Sequence, residues 1–95
     1  MGDKVEVLNV NHPGHVGRVD AARHAIVRDA MLAVLPDAAP GMTAEELRAA
    51  MRPRVEDAFP GGAKLGWWET CVRLDLEARG LVARSGGSPL RFRRT

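Results

Sequence analysis

The chain has one cysteine, no tyrosine and few other aromatic residues. Cys71 is the single thiol in 95 residues, and two tryptophans with two phenylalanines complete the aromatic set. One cysteine excludes an intramolecular disulfide and any zinc site built from several thiolates. No apolar run approaches the roughly 18 residues of a membrane-spanning helix, and the N-terminal residues lack a signal-peptide pattern. We therefore expect a soluble protein of the reducing cytoplasm.

The length predicts a single domain, residues 1–95, without a second core. Hydrophobic residues make up 45% and charged residues 27% of the chain, which is ordinary globular composition. A domain this small buries only about 60–65% of its unfolded surface, so we expect a monomer of modest stability.

One strand and a loop, within residues 1–19, are predicted to precede a three-helix core at residues 20–80. Residues 4–10 alternate partly between apolar and polar side chains, which predicts a short strand. The first helix is predicted over residues 21–35, with Asp20 as its N-cap.

The other two helices carry their own boundary signals. Residues 43–46 (Thr-Ala-Glu-Glu) form a capping box, from which a helix is predicted over residues 44–51. Pro53 is expected to stop or kink that helix. The third helix is predicted over residues 65–79, with Gly80 just beyond its C-terminus.

A glycine-tipped hairpin is predicted over residues 81–95. Residues 81–84 and 90–93 have the composition of strands, and residues 85–89 (Ser-Gly-Gly-Ser-Pro) that of a turn. The predicted class is therefore α+β and mostly α. Three helices followed by a basic hairpin indicate a winged helix-turn-helix with residues 81–95 as the wing.

Two resemblances support this fold. Residues 74–84 (LDLEARGLVAR) resemble the junction between the third helix and the wing of many winged-helix proteins. Nearly the whole chain is also similar to a small bacterial family of uncharacterised winged-helix-like proteins. That resemblance is carried by residues 8–15 (LNVNHPGH), 18–20 (RVD), 34–36 (VLP), 39–41 (APG), 59–64 (FPGGAK) and 66–68 (GWW). The resemblance to this family implies a winged-helix-like fold but no established activity. The chain departs from a simple helix-turn-helix at residues 51–64, because this segment is longer than the three- or four-residue turn of that motif.

The basic residues are concentrated in the last third of the chain. Residues 1–63 hold seven basic and nine acidic side chains, whereas residues 64–95 hold seven basic and three acidic ones, a net charge of +4. Because phosphate attraction dominates nucleic-acid binding, we predict that the protein contacts the backbone of double-stranded DNA and acts in transcription. The candidate nucleic-acid-binding residues are Lys64, Thr70, Arg73, Arg84, Arg91, Arg93 and Arg94.

The alternative hypothesis is a module that binds another protein or a second copy of itself. Glu69, Arg73 and Glu77 form an i,i+4 ladder on the third helix, which is typical of a solvated face and places two carboxylates toward any phosphate. The first helix is apolar almost all round, which suits packing within a homodimer.

Three further residues of the third helix are given structural roles. Trp67 lies on the predicted inner arc and is expected in the core, whereas Trp68, at the edge of the arc, is expected to pack under the wing rather than stack on a base. Asp75 also falls within the apolar arc. A buried carboxylate needs a partner, and we predict Arg18 or Arg23 for that role.

No spacing indicates catalysis or a cofactor. His12, His15, His24 and Cys71 lack the arrangement of a metal site. Residues 61–66 (GGAKLG) lack the residue order of a phosphate-binding loop. We therefore predict a protein that is not an enzyme and that binds no metal, cofactor or small substrate.

Overall fold

A computed structural model describes residues 2–95 as three helices with an antiparallel hairpin at each end. This part of the chain is α+β and mostly helical. A 3-10 turn, Pro60–Gly62, lies between the second and third helices. The elements in chain order are β1 (Lys4–Val7), β2 (Gly17–Asp20), α1 (Ala21–Val34), α2 (Ala44–Val55), α3 (Leu65–Ala78), β3 (Val82–Ser85) and β4 (Arg91–Arg94).

The helix boundaries confirm the capping signals. The Asp20 carboxylate accepts a hydrogen bond of 2.8 Å from the backbone N–H of Arg23. Thr43 and Glu46 exchange both bonds of the predicted capping box. Gly80 has a φ of +80°, and the chain closes α3 with bonds from the Gly80 and Leu81 N–H groups to the carbonyls of Glu77 and Leu76. This is the Schellman arrangement expected of glycine after a helix.

Two predicted elements need correction. Residues 4–10 form a strand only as far as Val7, and its antiparallel partner β2 was not predicted, because Val19 is the one branched apolar residue in Gly17–Asp20. Pro53 does not stop α2 at residue 51 as one of the two predicted alternatives required, since the helix continues to Val55. A proline so close to the end removes one backbone hydrogen bond, and the burial of Val55 stabilises the final turn.

The helices and the C-terminal hairpin share one core. Phe92 of β4 is buried in it, and its N–H and C=O groups bond to the C=O and N–H of Met42 at 2.7 and 2.9 Å. These bonds tie the hairpin to the segment before α2. The side chains of the core are Val27, Ala30, Met31, Leu35, Leu47, Met51, Val55, Phe59, Leu65, Trp68, Val72, Leu76, Val82 and Phe92.

The third helix turns a different face to the core from the one predicted. Trp67, expected inside, is 59% exposed, so that prediction was wrong. The ladder residues Glu69 and Arg73, expected in solvent, are buried. Apolar side chains occupy most of the circumference of α3, so a helical wheel cannot choose between faces. The buried residues of α3 are Leu65, Trp68, Glu69, Val72, Arg73, Asp75 and Leu76.

None of the helices in residues 2–95 is long and apolar enough to cross a membrane.

We predict that Gly41 is essential for docking of the C-terminal hairpin. Gly41 has a φ of +85°, and a Cβ there would overlap with the main chain of Phe92. Gly61 also has a positive φ, +65°, but a Cβ there meets no atom within 4 Å. Gly61→Ala should therefore lower the free energy of unfolding by about 1–2 kcal/mol through backbone strain alone. Gly41→Ala should lower it by about 3 kcal/mol or more, because overlap adds to strain.

Urea unfolding followed by tryptophan fluorescence measures both values. Equal losses in the two variants would contradict the close packing of Gly41 against Phe92.

Candidate functional site

The arginines of the C-terminal hairpin are mostly bonded within the chain. Arg84 donates two hydrogen bonds to the Glu77 carboxylate, which raise the pKa of the Arg84 guanidinium. Arg91 Nη1 lies 3.3 Å from Glu46 Oε1, and Arg94 Nε donates to the carbonyl of Leu35 at 2.9 Å. In residues 2–95, Arg93 alone among these four makes no side-chain hydrogen bond.

Arg73, predicted to contact DNA from the third helix, lies beneath this hairpin. Its Nε donates to Glu69 at 2.6 Å, its Nη1 lies 3.5 Å from Glu77, and its guanidinium stacks 4.1 Å from the ring centre of Phe92. Arg48 adds a second bond to Glu69, at 3.1 Å. The predicted i,i+4 ladder is therefore present. The hairpin covers it, so the interpretation of this side of α3 as a solvated face was wrong.

The remaining two predicted nucleic-acid-binding residues are exposed. Thr70 uses its hydroxyl to donate to the carbonyl of Gly66 at 3.1 Å. Lys64 precedes α3 with a φ of +66°, and no side-chain bond of its own is present in the described part of the chain. Of the seven predicted residues, Arg73 is therefore buried, and the other six are at least partly exposed.

Asp75 is fully buried and paired, as predicted, but with other partners. One oxygen lies 3.1 Å from His24 Nε2, and the other accepts from Arg79 Nε at 2.9 Å and from the Leu8 N–H at 2.8 Å. Arg79 also donates to the carbonyl of Glu6 at 3.1 Å. The carboxylate therefore holds the end of β1 against α1 and α3.

The two arginines predicted for Asp75 lie elsewhere. Arg23 borders a shallow cavity beside Lys64, and Arg18 borders a groove between the N-terminal hairpin and α3. The spacing along the chain could not distinguish His24 from Arg23, because the direction in which α1 presents each residue depends on helix packing.

The depression between the N-terminal hairpin and α3 is named the hairpin–helix groove. It consists of two cavities, of about 370 and 300 Å³, that share Leu8, Asn9 and His15. Both volumes lie within the range of ligand pockets. The groove is lined by Val7, Leu8, Asn9, Val10, Pro13, Gly14, His15, Val16, Gly17, Arg18, Val19, Trp67, Thr70, Cys71, Leu74 and Ala78.

Exposed apolar side chains border the groove. Trp67 stands at the α3 side with its ring edge-on to Trp68, the ring centres 5.3 Å apart. Trp68 itself is buried, and its other aromatic contact is Phe59 in the connection between α2 and α3. Val10 and Val16, which the sequence did not single out, are exposed on the hairpin side. The excess of apolar residues around α3 was the available signal for a second apolar surface.

Cys71 is the one thiol that lines the groove. Burial, together with the charge of Asp75, raises the pKa of the half-buried Cys71 thiol, so the thiol stays protonated at neutral pH. No group of three or more His, Cys, Asp or Glu side chains able to hold a metal ion occurs in residues 2–95. The groove offers apolar contact beside the polar side chains of Asn9, His15, Arg18 and Thr70.

These features define a small α+β protein whose surface carries an apolar groove and scattered cations. The chain belongs to DUF6958, a family of unknown function whose model matches residues 4–92. No curated protein and no solved structure matches it. Membership agrees with the predicted resemblance to an uncharacterised family and brings no activity with it.

We predict that the two adjacent tryptophans contribute very differently to stability. Trp68→Ala should lower the free energy of unfolding by about 3–5 kcal/mol, because it empties a core position. Trp67→Ala should lower it by less than about 1 kcal/mol, since that side chain is already in solvent. Chemical unfolding followed by circular dichroism measures both, and a larger loss for Trp67→Ala would contradict the orientation of α3.

Proposed function

We propose that the chain is a protein-interaction module that binds a segment of a partner protein in the hairpin–helix groove. The observation that carries this proposal is the exposed Trp67 beside two adjoining apolar cavities. Tryptophan is enriched among the residues that dominate binding energy at interfaces, and it acts there next to pockets that exclude water.

The order of the helices and the C-terminal hairpin also bears on this proposal. Three helices followed by a hairpin that packs on the third give the winged-helix order, and we propose that assignment. In such a fold α3 is the helix that faces a ligand, and here its outward side presents Trp67, Cys71 and Leu74 instead of a row of cations. The single cysteine suits the reducing cytoplasm, where we propose that the module acts.

The test is selection from a phage-displayed library of random peptides against the whole protein. We expect enriched peptides whose affinity falls by about 30-fold in Trp67→Ala, a typical loss at a dominant interface residue. Leu90→Ala is the matched control, because Leu90 is also exposed but lies outside the groove. Failure to recover any peptide whose binding depends on Trp67 would contradict the proposal.

Nucleic-acid binding is the second candidate, and the unpaired cations favour it. Lys64 and Arg23 border one shallow cavity at the start of α3, and the Arg52 side chain lies against Gly62 beside it. Helix N-termini attract phosphate. One opposing feature is the Glu56 carboxylate, which accepts from the Gly61 N–H at the same place. In this candidate, Lys64 and Arg93 are the main phosphate contacts among the seven predicted residues, because neither makes a side-chain hydrogen bond within residues 2–95.

Fluorescence anisotropy with duplex DNA at about 50 mM salt tests this candidate. If it holds, Lys64→Ala and Arg93→Ala weaken binding, and each lowers the salt slope by about 0.9. Arg84→Ala is the internal comparison and should have a smaller effect, because Glu77 already neutralises Arg84. Absence of binding at this salt concentration would eliminate the candidate.

A further inference from the structure

The charges and the strand edge beside the groove indicate what kind of segment it takes. Resting on the function proposed above, we infer that the partner is an acidic peptide segment that binds in an extended conformation along β2, with apolar side chains in the two cavities.

The first argument is charge complementarity. The chain has 12 Asp and Glu residues, yet none of them lines either cavity, whereas Arg18 and His15 do. Arg18 makes no side-chain hydrogen bond or ion pair within residues 2–95, although Glu6 is its cross-strand neighbour. A partner carboxylate beside Arg18 would form a charge-assisted hydrogen bond at the edge of an apolar contact, where water screens it less.

The second argument is the open edge of β2. The Ala21 N–H donates to the Asp3 carbonyl, so the hydrogen-bonded pairs of this ladder are Val5 with Val19 and Val7 with Gly17. Glu6 and Arg18 lie between these pairs. Their main-chain N–H and C=O groups therefore point away from the ladder, those of Glu6 to the outer side of β1 and those of Arg18 to the outer side of β2. On β1 the Glu6 carbonyl is used, because the Arg79 guanidinium donates to it.

On β2 the corresponding groups are those of Arg18, and the described residues offer them no backbone or side-chain partner. Three successive residues of β2, from Gly17 to Val19, line the larger cavity, so the groove follows the strand. An extended segment beside β2 would bond the Arg18 N–H and C=O groups and extend the sheet.

The third argument is the size and order of the cavities. Each is near the lower limit of ligand pockets, which suits one large apolar side chain apiece. Trp67 borders the larger cavity and Val10 and Val16 border the smaller one. In an extended segment alternate side chains face the same side. The expected ligand therefore carries apolar residues at alternating positions and at least one carboxylate.

The test uses synthetic fluorescein-labelled peptides that the random library yields as Trp67-dependent binders. We expect a net negative charge and apolar residues at i and i+2. Arg18→Glu should weaken their binding by about tenfold or more, since it reverses the charge at the contact. Arg54→Glu, an exposed change on α2 with the same effect on net charge, should leave binding unchanged. Hydrogen exchange of the Arg18 amide should slow when these peptides bind.

The outcomes separate this inference from the proposed function. Trp67-dependent peptides that are neutral or basic, that carry apolar residues at i, i+3 and i+4, or that tolerate Arg18→Glu would overturn the inference and leave the interaction module standing. A dimer that sedimentation detects and that Trp67→Ala disrupts would mean that the groove binds a second copy of this chain. That result would also overturn the inference of an acidic peptide. A library without Trp67-dependent binders would remove both proposals.

Discussion

The buried carboxylate of Asp75 is the contact on which the candidate site depends. It bonds the Leu8 N–H, His24 and Arg79 together, and it thereby joins the N-terminal hairpin to two helices. Hydrogen bonds to a buried charge are among the stronger ones in proteins, and removal of one partner leaves the others uncompensated. The hairpin–helix groove exists because this cluster holds the end of β1 at one end of α3 and leaves the side of β2 open.

A second ionic cluster engages several basic residues of the C-terminal region within the chain. Glu69, Arg73 and Glu77 lie between α3 and the C-terminal hairpin, where Arg48 and Arg84 complete their pairing. No buried side-chain nitrogen or oxygen in the described residues lacks a hydrogen-bond partner. Arg73, Arg79 and Arg84 pair with the three acidic residues of 64–95, Arg91 pairs with Glu46, and Arg94 bonds the Leu35 carbonyl, so most cations of this segment have a partner within the chain. The same contacts fix the rotation of α3 and so expose Trp67.

The sequence predicted the helices well and the candidate site poorly. The N-cap at Asp20 and the glycine after α3 were correct because each depends on residues a few positions apart. Burial and pairing of Asp75 also followed from its place among apolar residues. Two of its partners did not, because Leu8 is 67 residues away and His24 is 51 residues away. The third, Arg79, lies four residues along α3 and could have been predicted from the i,i+4 spacing. The strand β2 was missed because its short, charged sequence becomes a strand only by pairing with β1.

The sequence by itself determined where the three helices begin, where α1 and α3 end to within one residue, that the chain is mostly helical, and that its basic residues are concentrated near the C-terminus. Only the tertiary structure decided which face of α3 is buried. Periodicity could not do so, since apolar side chains surround that helix and the choice depends on Phe92 packing over Arg73. That choice separates two adjacent tryptophans, one into the core and one to the edge of the groove. It also moves the proposed binding surface from the arginines of the hairpin to the apolar side of the third helix.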